Sequence, residues 1–119
     1  MFAHGALLRK NFFSADELVA IVKDFRNADL SPEEVALMTF AQKIVTHAHQ
    51  VNEHDISVLH GHGLSDEEIL DVILATTARS FFSKTLDAAG ATPDEIYMEL
   101  EPDLLEVLTV GRPFPLPVN

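Results

Sequence analysis

Apolar positions recur along this chain at helical spacing, and the segments that carry them are separated by hydroxyl, proline and glycine punctuation. The first segment, from about Phe2 to Phe13, reads as the inside of a helix: His4, small residues beside it, Leu7 and Leu8, then the basic end Arg9-Lys10. The second, about Ala15 to Arg26, sets Leu18, Ile21, Val22 and Phe25 on one face. The third, Pro32 to about Gln50, carries Val35, Met38, Ala41 and Val45, with Leu37, Phe40, Ile44 and Ala48 beside them. Its wide apolar arc predicts a central position. A short helix is predicted from about Glu53 to His60, stopped by Gly61 and Gly63. The fifth, Asp66 to Ala89, is closed by Gly90. It has little polar face between Ile69 and Leu86, which predicts the buried spine of the fold. Two short helices follow, near Pro93 to Leu100 and Pro102 to Leu108.

Four Ser/Thr-x-x-Glu signatures stand where helices should start: Ser14–Glu17, Ser31–Glu34, Ser65–Glu68 and Thr92–Glu95. In such a box the hydroxyl accepts from the N3 amide while the glutamate reaches back to the cap amide. Pro32 and Pro93 follow two of the caps, where a missing N–H costs nothing. Together these signals predict an all-α fold. The end of the chain, Gly111 to Val118, places Pro at every second position from Pro113 and reads as an extended, polyproline-like tail. The domain expectation is therefore one helical domain over 1–111 and a Pro-rich tail over 112–119.

Composition narrows the function classes. A length of 119 residues suits one domain with a real core. Apolar residues make up 47% and charged residues 23%, as in an ordinary globular chain. The formal charge of −11, with basic residues scattered, argues against nucleic acid and against anionic membrane surfaces. No segment approaches the roughly 18 to 20 apolar residues of a spanning helix. No basic region followed by an apolar run opens the chain, so a cytoplasmic location is expected. There is no cysteine, which removes disulfides, thiolate metal sites and cysteine nucleophiles from these residues.

Candidate chemistry is sparse. His47 and His49 lie two apart on a helix and point to different sides. His60 and His62 flank Gly61 and offer convergence with His54, but a metal needs three or four ligands with a supporting shell. The surface reading is preferred, and no metal is assigned. The acidic pairs Asp16-Glu17 and Glu33-Glu34 and the run Asp66-Glu67-Glu68 occupy first helical turns, where the dipole favours them without any catalytic role. Arg79 sits in the most apolar helix, so it either snorkels to solvent or faces a pocket. Ser80 and Ser83 have no His or acid at telling spacing. There is no phosphate-binding glycine loop and no cofactor motif.

From His4 to Pro115 the chain resembles the carboxymuconolactone decarboxylase-like family, and within it the alkylhydroperoxidase D-like, peroxidase-related proteins. The resemblance is carried by His4-Gly5-Ala6-Leu7-Leu8-Arg9, Leu30 to Met38, Gly63 to Asp71, and Ala78-Arg79-Ser80-Phe81-Phe82-Ser83-Lys84. It implies a compact all-α bundle that lacks the family's usual N-terminal helices, because only the later part of the domain is matched. It also implies peroxidase or thiol–disulfide chemistry, with a Cys-x-x-Cys pair activated by an upstream Glu and a downstream His. By resemblance His4 is that His, the proton relay. The pair itself would fall just before Met1, so one expectation is a start placed downstream of the thiols. The other is a remnant that keeps the scaffold without the chemistry.

These considerations lead to an antioxidant-family protein, inactive as a thiol peroxidase in this form. A hydroperoxide and a thiol reductant are the implied partners of a longer, cysteine-containing form. The alternatives are a non-catalytic oligomeric scaffold or binding protein, and a cysteine-independent lyase with His4 as general acid or base. A homo-oligomer is expected, because apolar faces of the third and fifth helices should lack cover. The tail, with Phe114 and Leu116, is the expected clasp.

Overall fold

The computed structural model describes residues 1–111, and the extended tail expected over 112–119 lies outside them. Six α-helices order the described residues: α1 (Phe2–Asn11), α2 (Ala15–Asp24), α3 (Pro32–His47), α4 (Glu53–Gly61), α5 (Asp66–Ala88) and α6 (Pro102–Leu108). Two 3₁₀ turns, Ala48–Gln50 and Glu95–Glu99, complete them, and no strand occurs among the described residues. The described residues group into two compact units, 1–29 with 90–111, and Leu30–Ala89.

The first unit holds α1, α2, α6 and the second 3₁₀ turn. Its core is Phe2, Leu18, Leu104 and Leu108, ringed by Phe13, Val22, Tyr97 and Leu100. The Phe2 and Tyr97 rings stack with centroids 5.8 Å apart. Arg9 in the last turn of α1 donates through Nε and Nη2 to Glu101 Oε1, at 2.9 and 2.6 Å. That bond ties α1 to the residue that precedes α6, and it lies at a half-exposed surface where an ion pair contributes little.

Gly5 sets the approach of α1 to α6. A methyl group there would meet Leu108 Cδ1 at 2.6 Å and Cδ2 at 2.9 Å. Leu108 is buried among the core residues and has little room to turn. Alanine gains about 1 kcal/mol of helix propensity over glycine, while overpacking a filled core costs about 1–3 kcal/mol. Gly5→Ala is therefore expected to lower stability by about 1 kcal/mol. A denaturant midpoint that rises instead would mean Leu108 repacks freely.

The second unit holds α3, α4 and α5 around Phe40, Ile44, Leu59 and Ile69, with Ala36, Leu37, Ile56, Leu64 and Val72 packed against them. Lys43 Nζ on α3 donates to Asp55 Oδ2 on α4 at 2.6 Å. That bond, followed by the Asn52 backbone N–H, holds the Asp55 carboxyl below its ordinary value. The chain leaves α4 through Gly63 at φ +94°, a left-handed conformation that glycine adopts without strain.

Three of the four expected capping boxes form, at Ser14–Glu17, Ser31–Glu34 and Ser65–Glu68. The Thr92–Glu95 box does not. Its segment becomes a 3₁₀ turn preceded by Asp94, with no side-chain cap. Five residues are too few to repay an α-helical nucleus, and of these only Tyr97 packs on the core. A box that was not expected forms at Asn52–Asp55. The third helix also stops at His47, which leaves helical geometry at φ −147° and ψ 50°, and a 3₁₀ turn brings Val51 to the core.

Each boxed glutamate accepts the backbone N–H of its serine, and that bond, ahead of the serine hydroxyl, holds the carboxyl below its ordinary 4.5. The folded state therefore favours the ionised form. Between the lowered folded value and 4.5 the unfolded chain binds more protons, so stability rises with pH there. The contribution is complete above 4.5 and is lost as pH falls through the folded values. Melting temperature is expected to hold from pH 7 to about pH 5 and to fall below that. Glu34→Gln should shallow the acid limb. An identical limb in that variant would remove the box from the account.

The expectation of α5 as a buried spine needs correction. Only Ile69 of this helix is buried. Leu70, Leu74 and Phe81 are 52%, 55% and 73% exposed, and Phe82 and Leu86 are exposed as well. At 23 residues α5 is longer than α3, with 16, or α4, with 9. Within this unit those two helices cover one face of it and leave the opposite face open.

Candidate functional site

His4 lies in the first turns of α1 and is exposed to solvent. Its neighbour Gly5 faces inward against Leu108. The ring thus stands on a helix that packs closely, through Gly5, against the Leu108 side chain. No hydrogen bond or ion pair among the described residues occupies it. No side chain caps the N-terminus of α1.

The other histidines do not converge. The His47 and His49 rings sit 6.3 Å apart and tilted by 57°. His54 lies in the first turn of α4, where its backbone N–H donates to Asn52 Oδ1. His60 Nε2 lies 3.0 Å from Asp66 Oδ1 at an exposed position. No group of three or more potential ligands able to hold a metal occurs among the described residues. Of the acidic first turns, Glu17, Glu34 and Glu68 close capping boxes, and the other acids lie beside them in the same turns.

Arg79 is exposed to solvent and also lines an open groove. An open groove of about 550 Å³ runs between α3 and α5, floored by Ala41, Val45 and Ala75. Arg79, Ser80, Ser83 and Lys84 form its polar side. The Arg79 guanidinium carbon lies 5.6 Å from the Phe82 ring centroid, within the range of a cation–π contact. No hydrogen bond among the described residues joins Ser80 or Ser83 to a His or an acid, so neither is set up as a nucleophile. Arg79 and Lys84 thus line a groove whose surface is mostly apolar. In the sequence Val45 reads as an apolar-face residue and Lys84 as part of the family-like stretch, neither as a site residue. A five-residue separation does not put Lys84 on the face of Arg79, and it is the packing against α3 that brings both to one groove.

No helix among the described residues is long and apolar enough to cross a membrane. No protein-family model and no curated protein matches the chain. Among solved structures it is similar to a crystal structure described as an alkylhydroperoxidase AhpD core, an uncharacterized peroxidase-related protein from Ralstonia eutropha JMP134. The two share 31% sequence identity with a TM-score of 0.70, over 81% of this chain and 50% of that one. The chain therefore spans half the length of that protein. The all-α fold and the shared sequence over that span are consistent with a partial alkylhydroperoxidase D-like domain.

Proposed function

We propose that this chain is the scaffold portion of a peroxidase-related antioxidant protein, and that its 119 residues carry no thiol chemistry of their own. The observation behind the reading is the combination of a partial alkylhydroperoxidase-type match with a complete absence of cysteine. In a longer form with a Cys-x-x-Cys pair, His4 acts as the proton relay. A small hydroperoxide is then the substrate and a thiol the reductant. The acidic, cysteine-free composition suits a reducing cytoplasm.

The chain acts as a homo-oligomer. Support comes from the apolar side chains left open on α3 and α5, Val45 among them, because contiguous apolar surface usually marks an interface. Light scattering over a concentration series tests this. The expected mass is a multiple of 13.1 kDa. A mass of one chain at every concentration would remove the oligomeric part of the reading. The dithiol–peroxide assay argued in the Discussion tests the catalytic part.

A further inference from the structure

The open face of α5 has an internal order that suits one partner. Glu67, Leu70, Leu74, Thr77, Phe81 and Lys84 alternate at three- and four-residue spacing, the seam pattern of two packed helices. All six are exposed. Thr77 donates its hydroxyl to Ile73 O at 2.9 Å, so its polar capacity is used within the helix. The stripe is thus apolar along its middle and charged at its ends, negative at Glu67 and positive at Lys84.

This arrangement is self-complementary in one direction only. A two-fold axis midway between Ala75 and Thr76 sets Leu70 opposite Phe81 of the other copy and Leu74 opposite Thr77. It also sets Glu67 opposite Lys84, and each pairing occurs twice by symmetry. A parallel alignment would put Glu67 on Glu67 and Lys84 on Lys84, placing like charges together. We propose that α5 is the surface on which two copies of this chain associate, antiparallel, with Leu70, Leu74 and Phe81 as the apolar centre and Glu67–Lys84 pairs at both rims. The partner is a second copy because the stripe supplies both halves of the match. This rests on the homo-oligomeric reading above and adds the surface, the direction and the register.

The absence of cysteine allows a clean test. Glu67→Cys and Lys84→Cys chains are prepared separately and mixed under mild oxidation. The mixture is expected to give a disulfide-linked heterodimer. Either chain alone is expected to give none, because its two thiols would lie roughly 25 Å apart across the axis and a disulfide needs Cα atoms within about 7 Å. Leu74→Glu, at a position already exposed in the single chain, is expected to keep its helical circular dichroism and to weaken association roughly a hundredfold. The charge reversal Glu67→Lys should weaken it less, and Glu67→Lys with Lys84→Glu should restore it.

A mass above one chain, with no mixed disulfide and no effect of Leu74→Glu, overturns the α5 surface and leaves the oligomeric reading standing. A disulfide in the Glu67→Cys chain alone overturns the antiparallel direction. A mass of one chain at all concentrations overturns both the surface and the oligomer.

Discussion

Incubated with a dithiol and a hydroperoxide, the 119-residue chain is expected to turn over neither of them above a buffer control. Thiol peroxidase chemistry begins when a thiolate attacks the peroxide oxygen, which breaks the O–O bond and leaves a sulfenic acid and an alcohol or water. A second thiol then condenses with the sulfenic acid, expels water and leaves a disulfide that the reductant must reopen. Both electrons come from sulfur that cycles. The chain has 3 methionines and no cysteine. Methionine reaches the sulfoxide but needs a dedicated reductase to return, so it consumes peroxide once per residue. Sustained dithiol oxidation beyond three equivalents of peroxide per chain would contradict the proposed function at its centre.

The second large effect concerns His4. A chain in which a Cys-x-x-Cys pair, with a Glu ahead of it, is joined in frame before Met1 is expected to gain peroxide-dependent dithiol oxidation. In that chain His4→Ala is expected to lower the rate roughly 10²- to 10⁴-fold, the range of a positioned general base. Two structural facts support the test. The start of α1 is closed by no side-chain cap, so added residues can continue the helix. His4 is also exposed one residue before the packed Gly5, so removing the imidazole leaves the contact with Leu108 in place. A rate and a pH profile that do not change on His4→Ala would assign the proton transfer to another group. A loss of rate accompanied by a lower melting temperature would point to a structural role for His4.

Much of the fold was legible because helix starts are local events. Ser14, Ser31 and Ser65 each find their glutamate within one turn, and no distant residue is needed to decide the outcome. The box at Asn52–Asp55 was equally present in the sequence. Asn and Asp there supply the same acceptors as a hydroxyl–glutamate box. Thr92 had the right letters over a segment too short to hold a helix. The groove was harder to see. Arg79 admitted two readings, snorkelling to solvent or facing a pocket, and nothing within its own helix separates them.

The sequence by itself determined the helical class, the approximate reach of the six α-helices and the lack of any cycling sulfur, since these follow from local hydrogen bonding and from residue identity. Tertiary structure decided which faces of those helices meet. It showed that α3 and α4 cover only the Ile69 side of α5, that Leu70, Leu74 and Phe81 stay open, and that Arg79 and Lys84 wall a groove floored by Val45. Apolar periodicity states that a face prefers cover but does not name the neighbour that supplies it. That depends on the lengths and crossing of helices far apart in the chain, which only the packed molecule sets.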